Sequence, residues 1–347
     1  MRAISAADSV SPAIERTRNF LFRPFNWGTY LKLGLVAIVT EGIGSNLHSS
    51  SHGGGQSSGH GPMIHSLSEI NPGMVAAAVA ALLLAFILSA WLFYLVTRLR
   101  FAFFHCLVHN TREIRPGWWL LREPAIRFFW MNLAVGVCYL LFVAAISIPF
   151  ISGILRLVRE TPPGGSPNIP LMLSLVLPLI PIVIVLVVVA ILLDVVLRDW
   201  MLPHYALEDA SAGEAFAAVW SRVIAEKRQF FVYALLRLIL PGIAMIAVFV
   251  VLLIPGLILA GTVAAVEYGV HSGFADASGA AAVVGVLLEV FFGVVAFAFA
   301  LLFGICVGGP VSTAVREYAL IFYGGRYPAL GNILYPPAAT PSAPAAN

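Results

Sequence analysis

Long apolar runs alternate with shorter polar connections along this chain. A hydrocarbon core about 30 Å thick is crossed by roughly 20 apolar residues of helix. Six runs reach that length, at about 28–46, 73–96, 126–151, 171–197, 230–254 and 281–307. Lys32, near the start of the first, has a stem long enough to carry its ammonium to the interface. Pro178 and Pro181 interrupt the fourth run, and Pro241-Gly242 marks an expected kink in the fifth. The stretch Leu257 to Val266 is apolar but too short to cross. It reads either as a re-entrant or interfacial piece or as an extension of the fifth helix. The pattern predicts an all-α membrane protein, a six-span transmembrane helix bundle over 28–334. A cytoplasmic segment, 1–27, precedes it, and a disordered Pro/Ala-rich tail, 335–347, follows.

The polar connections set the orientation. Sixteen Lys and Arg residues fall in the N-terminal segment, the second-to-third and fourth-to-fifth connections and the C-terminal tail. The other three connections hold only Arg156 and Arg159. Basic residues concentrate on the cytoplasmic side, so both termini are expected there and the protein in the inner membrane. Six tryptophans agree: Trp27, Trp118, Trp119, Trp130, Trp200 and Trp220 fall at the same predicted interface, with Trp91 within two turns of it. The first run lacks a cleavage site and reads as an uncleaved span.

Within those cytoplasmic connections a pattern recurs. Phe104-His105-Cys106-Leu107 follows the second span, Pro203-His204-Tyr205-Ala206-Leu207-Glu208 the fourth, and Glu317-Tyr318-Ala319-Leu320 the sixth. The first two lead into a Trp-bearing amphipathic stretch, then into Phe128-Phe129 or Phe230-Phe231. The expectation is a threefold hairpin repeat with cytoplasmic amphipathic elbow helices. The clearest elbow is 211–227. Ser211 and Glu214 form an S-x-x-E capping box. Phe216, Val219, Trp220, Val223 and Ile224 follow at helical spacing on one face. Small residues recur at three- or four-residue spacing in two spans: Gly73, Ala77, Ala81, Ala85 and Ser89, then Gly293, Ala296, Ala300, Gly304 and Gly308. Such ridges permit close helix approach in lipid and are expected to put these helices at the centre of the bundle.

Composition narrows the class. Of 347 residues, only 11% are charged and 60% are hydrophobic, against about 25% and 45–50% in soluble domains. That balance excludes a soluble globular protein, a disordered chain and a disulfide scaffold. The net charge of +3 gives no global basic field for nucleic acid. Cys106, Cys138 and Cys306 lie far apart and read as reduced packing residues. No Walker phosphate loop and no HExxH motif occurs. No cofactor is expected.

Three ionisable residues inside spans are candidates for an ion or substrate path, because such groups are costly to bury in lipid. Glu289 lies about two turns from the outer end of the sixth span and shares the small-residue face. Asp194 lies near the cytoplasmic end of the fourth, with Arg198 four residues on. Arg237 lies two turns into the fifth, within expected reach of Asp194 across the hairpin. Phe216 and Trp220 are the candidates for contact with a partner or the interface. His48, His52, His60 and His65 crowd a Gly/Ser-rich outer loop. Imidazole is a common metal ligand, but the spacing is irregular and no Cys or Asp joins the group, so a polar loop is the stronger reading.

Two segments carry a family resemblance. Thr17 through Val39, with Phe22-Arg23-Pro24-Phe25 and Tyr30-Leu31-Lys32-Leu33-Gly34-Leu35, resembles the start of an uncharacterised bacterial and archaeal family of multi-pass membrane proteins. Pro203-His204-Tyr205-Ala206-Leu207-Glu208, followed by Glu214-Ala215-Phe216 and Trp220, is similar to a connection in that family. It is also similar to one in the membrane domain fused to some glycerophosphoryl diester phosphodiesterases. The resemblance implies a helical bundle and carries no catalysis, because the catalytic domain of those enzymes is a separate soluble one.

The functional expectation is a non-enzymatic scaffold or accessory factor for partners or lipids at the cytoplasmic leaflet. The expected partners are membrane lipids, with a membrane protein or a second copy of the chain beside them, and no nucleic acid. The alternative is a small-solute or ion transporter using Glu289.

Overall fold

A computed structural model of the protein describes residues 4–46, 72–160, 169–274 and 279–335. Among them every regular element is helical. In chain order these are α1 (Val10–Phe22), α2 (Trp27–Asn46), α3 (Pro72–Val108), α4 (Ile114–Leu120), α5 (Arg122–Glu160) and α6 (Ile169–Val195). A π-helical stretch, Val196–Met201, joins α6 to α7 (Leu202–Leu207). Then come α8 (Ala212–Ala225), α9 (Lys227–Phe274), α10 (Ala280–Gly324) and α11 (Pro328–Leu334).

Six stretches are long and apolar enough to cross a membrane: Ala76–Val108, Arg122–Leu155, Val176–Leu207, Lys227–Ile254, Gly256–Phe274 and Ala281–Gly324. Their membership differs from the sequence expectation at one place. Residues 28–46 do form α2, but α2 is not among the six. Lys32, Glu41 and the polar residues at its ends dilute its apolar character, and Leu33, Val36, Ala37 and Thr40 are buried in protein. The sixth stretch is instead Gly256–Phe274, which continues the fifth helix without a break. Of the two readings of that segment, the extension is the one observed, and α9 runs 48 residues through Pro241-Gly242. The stretch Ala281–Gly324 has 44 residues. At 1.5 Å per residue it extends about 66 Å, more than twice the hydrocarbon thickness. Its last turns therefore belong to a protein core outside the apolar layer.

The helices group into two compact units. In the first, α10 is central and packs against α1, α2, α9 and α11. The α2–α10 contact is a glycine-on-glycine crossing: a Cβ on Gly309 would lie 2.6 Å from Gly34 Cα. Tyr30 secures the same crossing by donating its hydroxyl to the Cys306 carbonyl at 2.6 Å. Further along, Tyr233 of α9 stacks on Tyr318 and Phe322 of α10, with ring centroids 5.0 and 4.4 Å away. Arg326 lies over the Phe322 ring at 4.1 Å and donates to the Ile4 carbonyl at 3.0 Å.

In the second unit, α5 packs on α6 and α7, and the π-helical stretch packs on α7 and α8. Phe128 of α5 meets Phe101 of α3 and Tyr205 of α7 edge-on, at 5.3 and 5.2 Å. The short helix α4 lies against α3 at Gly117, where a Cβ would come 2.8 Å from His105 Cβ. Arg98 then reaches over the Trp118 ring at 4.2 Å and donates to its carbonyl at 2.9 Å.

The small-residue ridges are used only in part. Ala77, Ala81, Ala85 and Ser89 are exposed, and Gly293 and Gly304 have open space where a Cβ would stand. Close approach occurs at Gly308, beneath Ile38 of α2, and at Gly309. Trp200, expected in the interfacial belt, is buried within the π-helical stretch. There the extra residue per turn changes which side of the helix its side chains face.

Candidate functional site

The predicted site residues other than the four loop histidines each have a definite place. Arg237 donates Nη2 to Glu41 Oε2 at 2.8 Å, and both side chains are buried. Its observed acidic partner is thus on α2. Asp194 pairs with Arg198 at 3.3 Å, one helical turn on. Arg198 Nε also stands 3.9 Å from Asp199. The signal for Glu41 lay in the sequence: it is an acid within residues 28–46, unaccounted for beside Lys32. Glu289 is partly exposed, and its Oε1 lies 2.7 Å from His271 Nδ1 on α9. This pair sits near the end of α9 and the start of α10. It is away from the tight α2–α10 crossing at Gly308 and Gly309. His48, His52, His60 and His65 lie outside the described residues. Among the described residues, no group of three or more His, Cys, Asp or Glu has metal-binding geometry.

Phe216 and Trp220 stack face to face on α8, 6.0 Å apart, and both are exposed. The expected single apolar face of α8 is divided. Ala215 and Val219 are buried, while Phe216, Trp220 and Ile224 point outward. The capping box forms as read: Ser211 accepts from the Glu214 amide, and Glu214 accepts from the Ser211 amide at 2.9 Å. Hydrogen bonds from the Ser211 amide and hydroxyl hold the Glu214 carboxyl below its ordinary range.

Apart from Arg198 and Arg237, the buried charges are the part of the site that sequence reasoning missed. Arg16 of α1 pairs with the fully buried Glu317 of α10 at 3.0 Å and donates to the Leu107 carbonyl at 2.6 Å. Arg112 donates to the carbonyls of Arg23 and Pro24 just past the end of α1. Arg316, Arg198 and Asp199 are buried as well. A usable signal was present in Arg198-Asp199-Trp200 and Arg316-Glu317-Tyr318. Both are basic–acidic–aromatic triplets. A buried ion pair needs both partners to offset desolvation, so these groups act as a unit with their neighbours.

Beside α1 lies an apolar cavity of about 340 Å³. The outward stripe of α1, with Ile14, Arg18 and Phe22 at four-residue spacing, forms one wall; α9 and α10 form the others. Arg18 and Arg237 are its two charged lining residues. Arg237 is already held by Glu41, and Arg18 is exposed.

Long apolar helices with exposed flanks and buried polar ends define a multi-pass helical membrane protein. The chain belongs to a family of unknown function, DUF7544, whose model matches residues 4–333. No curated protein matches it, and no solved structure does.

Proposed function

We propose that the protein is a non-enzymatic accessory or scaffolding protein of the inner membrane. Its short helices lie in the cytoplasmic leaflet and present that leaflet, or a partner within it, to the bundle. One observation carries this reading: the short helices are two-faced. In α1, Ala13, Thr17, Phe20 and Leu21 are buried, while Ile14 and Phe22 are exposed. In α4, Gly117 is buried and Trp119 and Leu120 are exposed. In α8, Ala215 and Val219 are buried and Phe216, Trp220 and Ile224 are exposed. A helix anchored to protein on one side and aromatic on the other suits the headgroup region, where indole and phenyl rings concentrate.

The order of elements supports a threefold repeat. A short helix leads into two long ones at α1–α2–α3, again at α4–α5–α6, and again at α8–α9–α10. The basic-residue asymmetry supports placing the short helices, and both termini, on the cytoplasmic side. A solute path through Glu289 draws less support, because that carboxylate sits beside His271 near the start of α10, partly exposed.

The test is fluorescence of a variant keeping Trp220 and replacing the other six tryptophans by Phe, in vesicles containing brominated lipid. Trp220 is expected to be quenched most by bromines close to the headgroup. Emission from a water-exposed indole, with no quenching at any depth, overturns the interfacial placement. Retention of every co-purifying protein by a Phe216→Ser/Trp220→Ser variant overturns the partner face.

A further inference from the structure

We infer that the cavity between α1, α9 and α10 holds one acyl chain of an anionic phospholipid, with the headgroup phosphate on Arg18. The inference rests on the interfacial reading of α1 and names the lipid that this surface selects. The volume, about 340 Å³, falls at the small end of ligand cavities, which run to roughly 300–1,000 Å³. Its walls are apolar: Ile14 and Phe22 from α1, Leu240 and Ala244 from α9, Val311 and Ala314 from α10. Such walls suit a hydrocarbon chain and reject a hydrated solute.

Charge selects the headgroup. Arg237 carries its counter-ion with it, 2.8 Å away on Glu41, so it adds little net charge to the cavity. Arg18 lines the same cavity, is exposed, and lies between Ile14 and Phe22 on one stripe of α1. An amphipathic helix lying in the interface holds such a residue at phosphate depth with its apolar neighbours in the chain region. Thus the cation stands where a phosphate would be when its own tail enters the cavity. Arginine binds phosphate oxygens through paired N–H donors, and anionic lipid is drawn to basic residues on the cytoplasmic face.

The experiment is native mass spectrometry of the full chain released from nanodiscs of equal phosphatidylglycerol and phosphatidylcholine. One phosphatidylglycerol is expected to remain bound in preference to phosphatidylcholine. Arg18→Gln should lower that preference about fivefold, the effect of one basic residue at an anionic surface. Ala244→Phe, which fills the cavity, should lower retention of both lipids. Equal retention of the two lipids by the unaltered protein overturns the proposal, as does an unchanged preference in Arg18→Gln. Undiminished retention in Ala244→Phe removes the chain from the cavity and overturns it too. Trp220 quenching is scored alongside. If quenching persists while lipid preference fails, the lipid site alone is wrong; if both fail, the interfacial reading falls with it.

Discussion

The two ends of one helix behave as if they belonged to different solvents. On α3, Phe86 is 62% exposed and Phe104 is 1% exposed. On α10, Val283, Leu287 and Phe297 are exposed, whereas Tyr318, Phe322 and Tyr323 are buried. The exposed halves are apolar apart from Ser89 on α3 and Glu289 on α10. The buried halves mix aromatics with ion pairs and backbone contacts. The first arrangement relies on lipid to cover it, where helix association gains little from hydrophobicity. The second is a conventional protein core, held by packing and paired charge. The difference teaches where the fold is specified: in the turns next to the short helices, while the apolar halves are set by length and composition.

The sharpest way to break that comparison uses one residue type on one helix. Phe104→Ala removes a buried ring, and core Phe→Ala changes cost about 3–5 kcal/mol. Phe86→Ala removes an exposed one, and substitutions away from packed features stay within about 0.5 kcal/mol. Thermal unfolding of both variants in the same detergent measures the contrast. Equal destabilisation would mean that Phe86 is packed in the native membrane state and that the two ends are alike.

The buried charges give the next largest effect. Glu317→Ala leaves Arg16 without its carboxylate, and breaking a buried pair costs about 3–5 kcal/mol. Arg16 is partly exposed, so water screens it and the loss should fall toward the lower figure. Replacing both partners by Met should recover most of that loss, because well-packed apolar residues replace buried pairs at little cost. Apparent Tm of Glu317→Ala and of the double variant measures this. A double variant no better than Glu317→Ala would show that the pair is needed for more than mutual neutralisation.

Much of the apolar half was legible in the sequence, since run length alone predicts a helix that crosses lipid. The capping box at Ser211 and the helix α8 that it starts were legible for the same reason: their signals are local. The Asp194–Arg198 pair was legible because both residues share one helix. What escaped was long-range. The partners Arg237–Glu41 and Arg16–Glu317 lie on helices far apart in sequence, and no spacing rule links them. The crossing of Gly34 with Gly309 was hidden among many small residues, most of which face open space. The π-helical stretch was also illegible. It shifts the facing of Arg198, Asp199 and Trp200, so a regular helical wheel puts Trp200 in the interface when it is buried.

The smallest effect should come from the α8 cap, which belongs to neither regime: it is an exposed, hydrogen-bonded helix start. Hydrogen bonds from the Ser211 amide and hydroxyl lower the folded-state pKa of Glu214 below its ordinary value. The unfolded carboxyl therefore binds protons first as pH falls. The stabilisation it gives is complete above the unfolded value and fades as pH drops through the lower folded value. Ser211→Ala removes the reciprocal bond, and loss of an N-cap side chain costs about 1 kcal/mol. Amide hydrogen exchange at the first turn of α8, measured from pH 6 down to about pH 3, should show protection falling in the unaltered protein beyond the intrinsic pH trend. In Glu214→Gln that extra fall should disappear, because Gln keeps an acceptor and does not titrate. An identical pH profile in the two proteins would mean that the cap does not hold the helix start in the membrane, and that contact of Phe216 and Trp220 with the interface holds it instead.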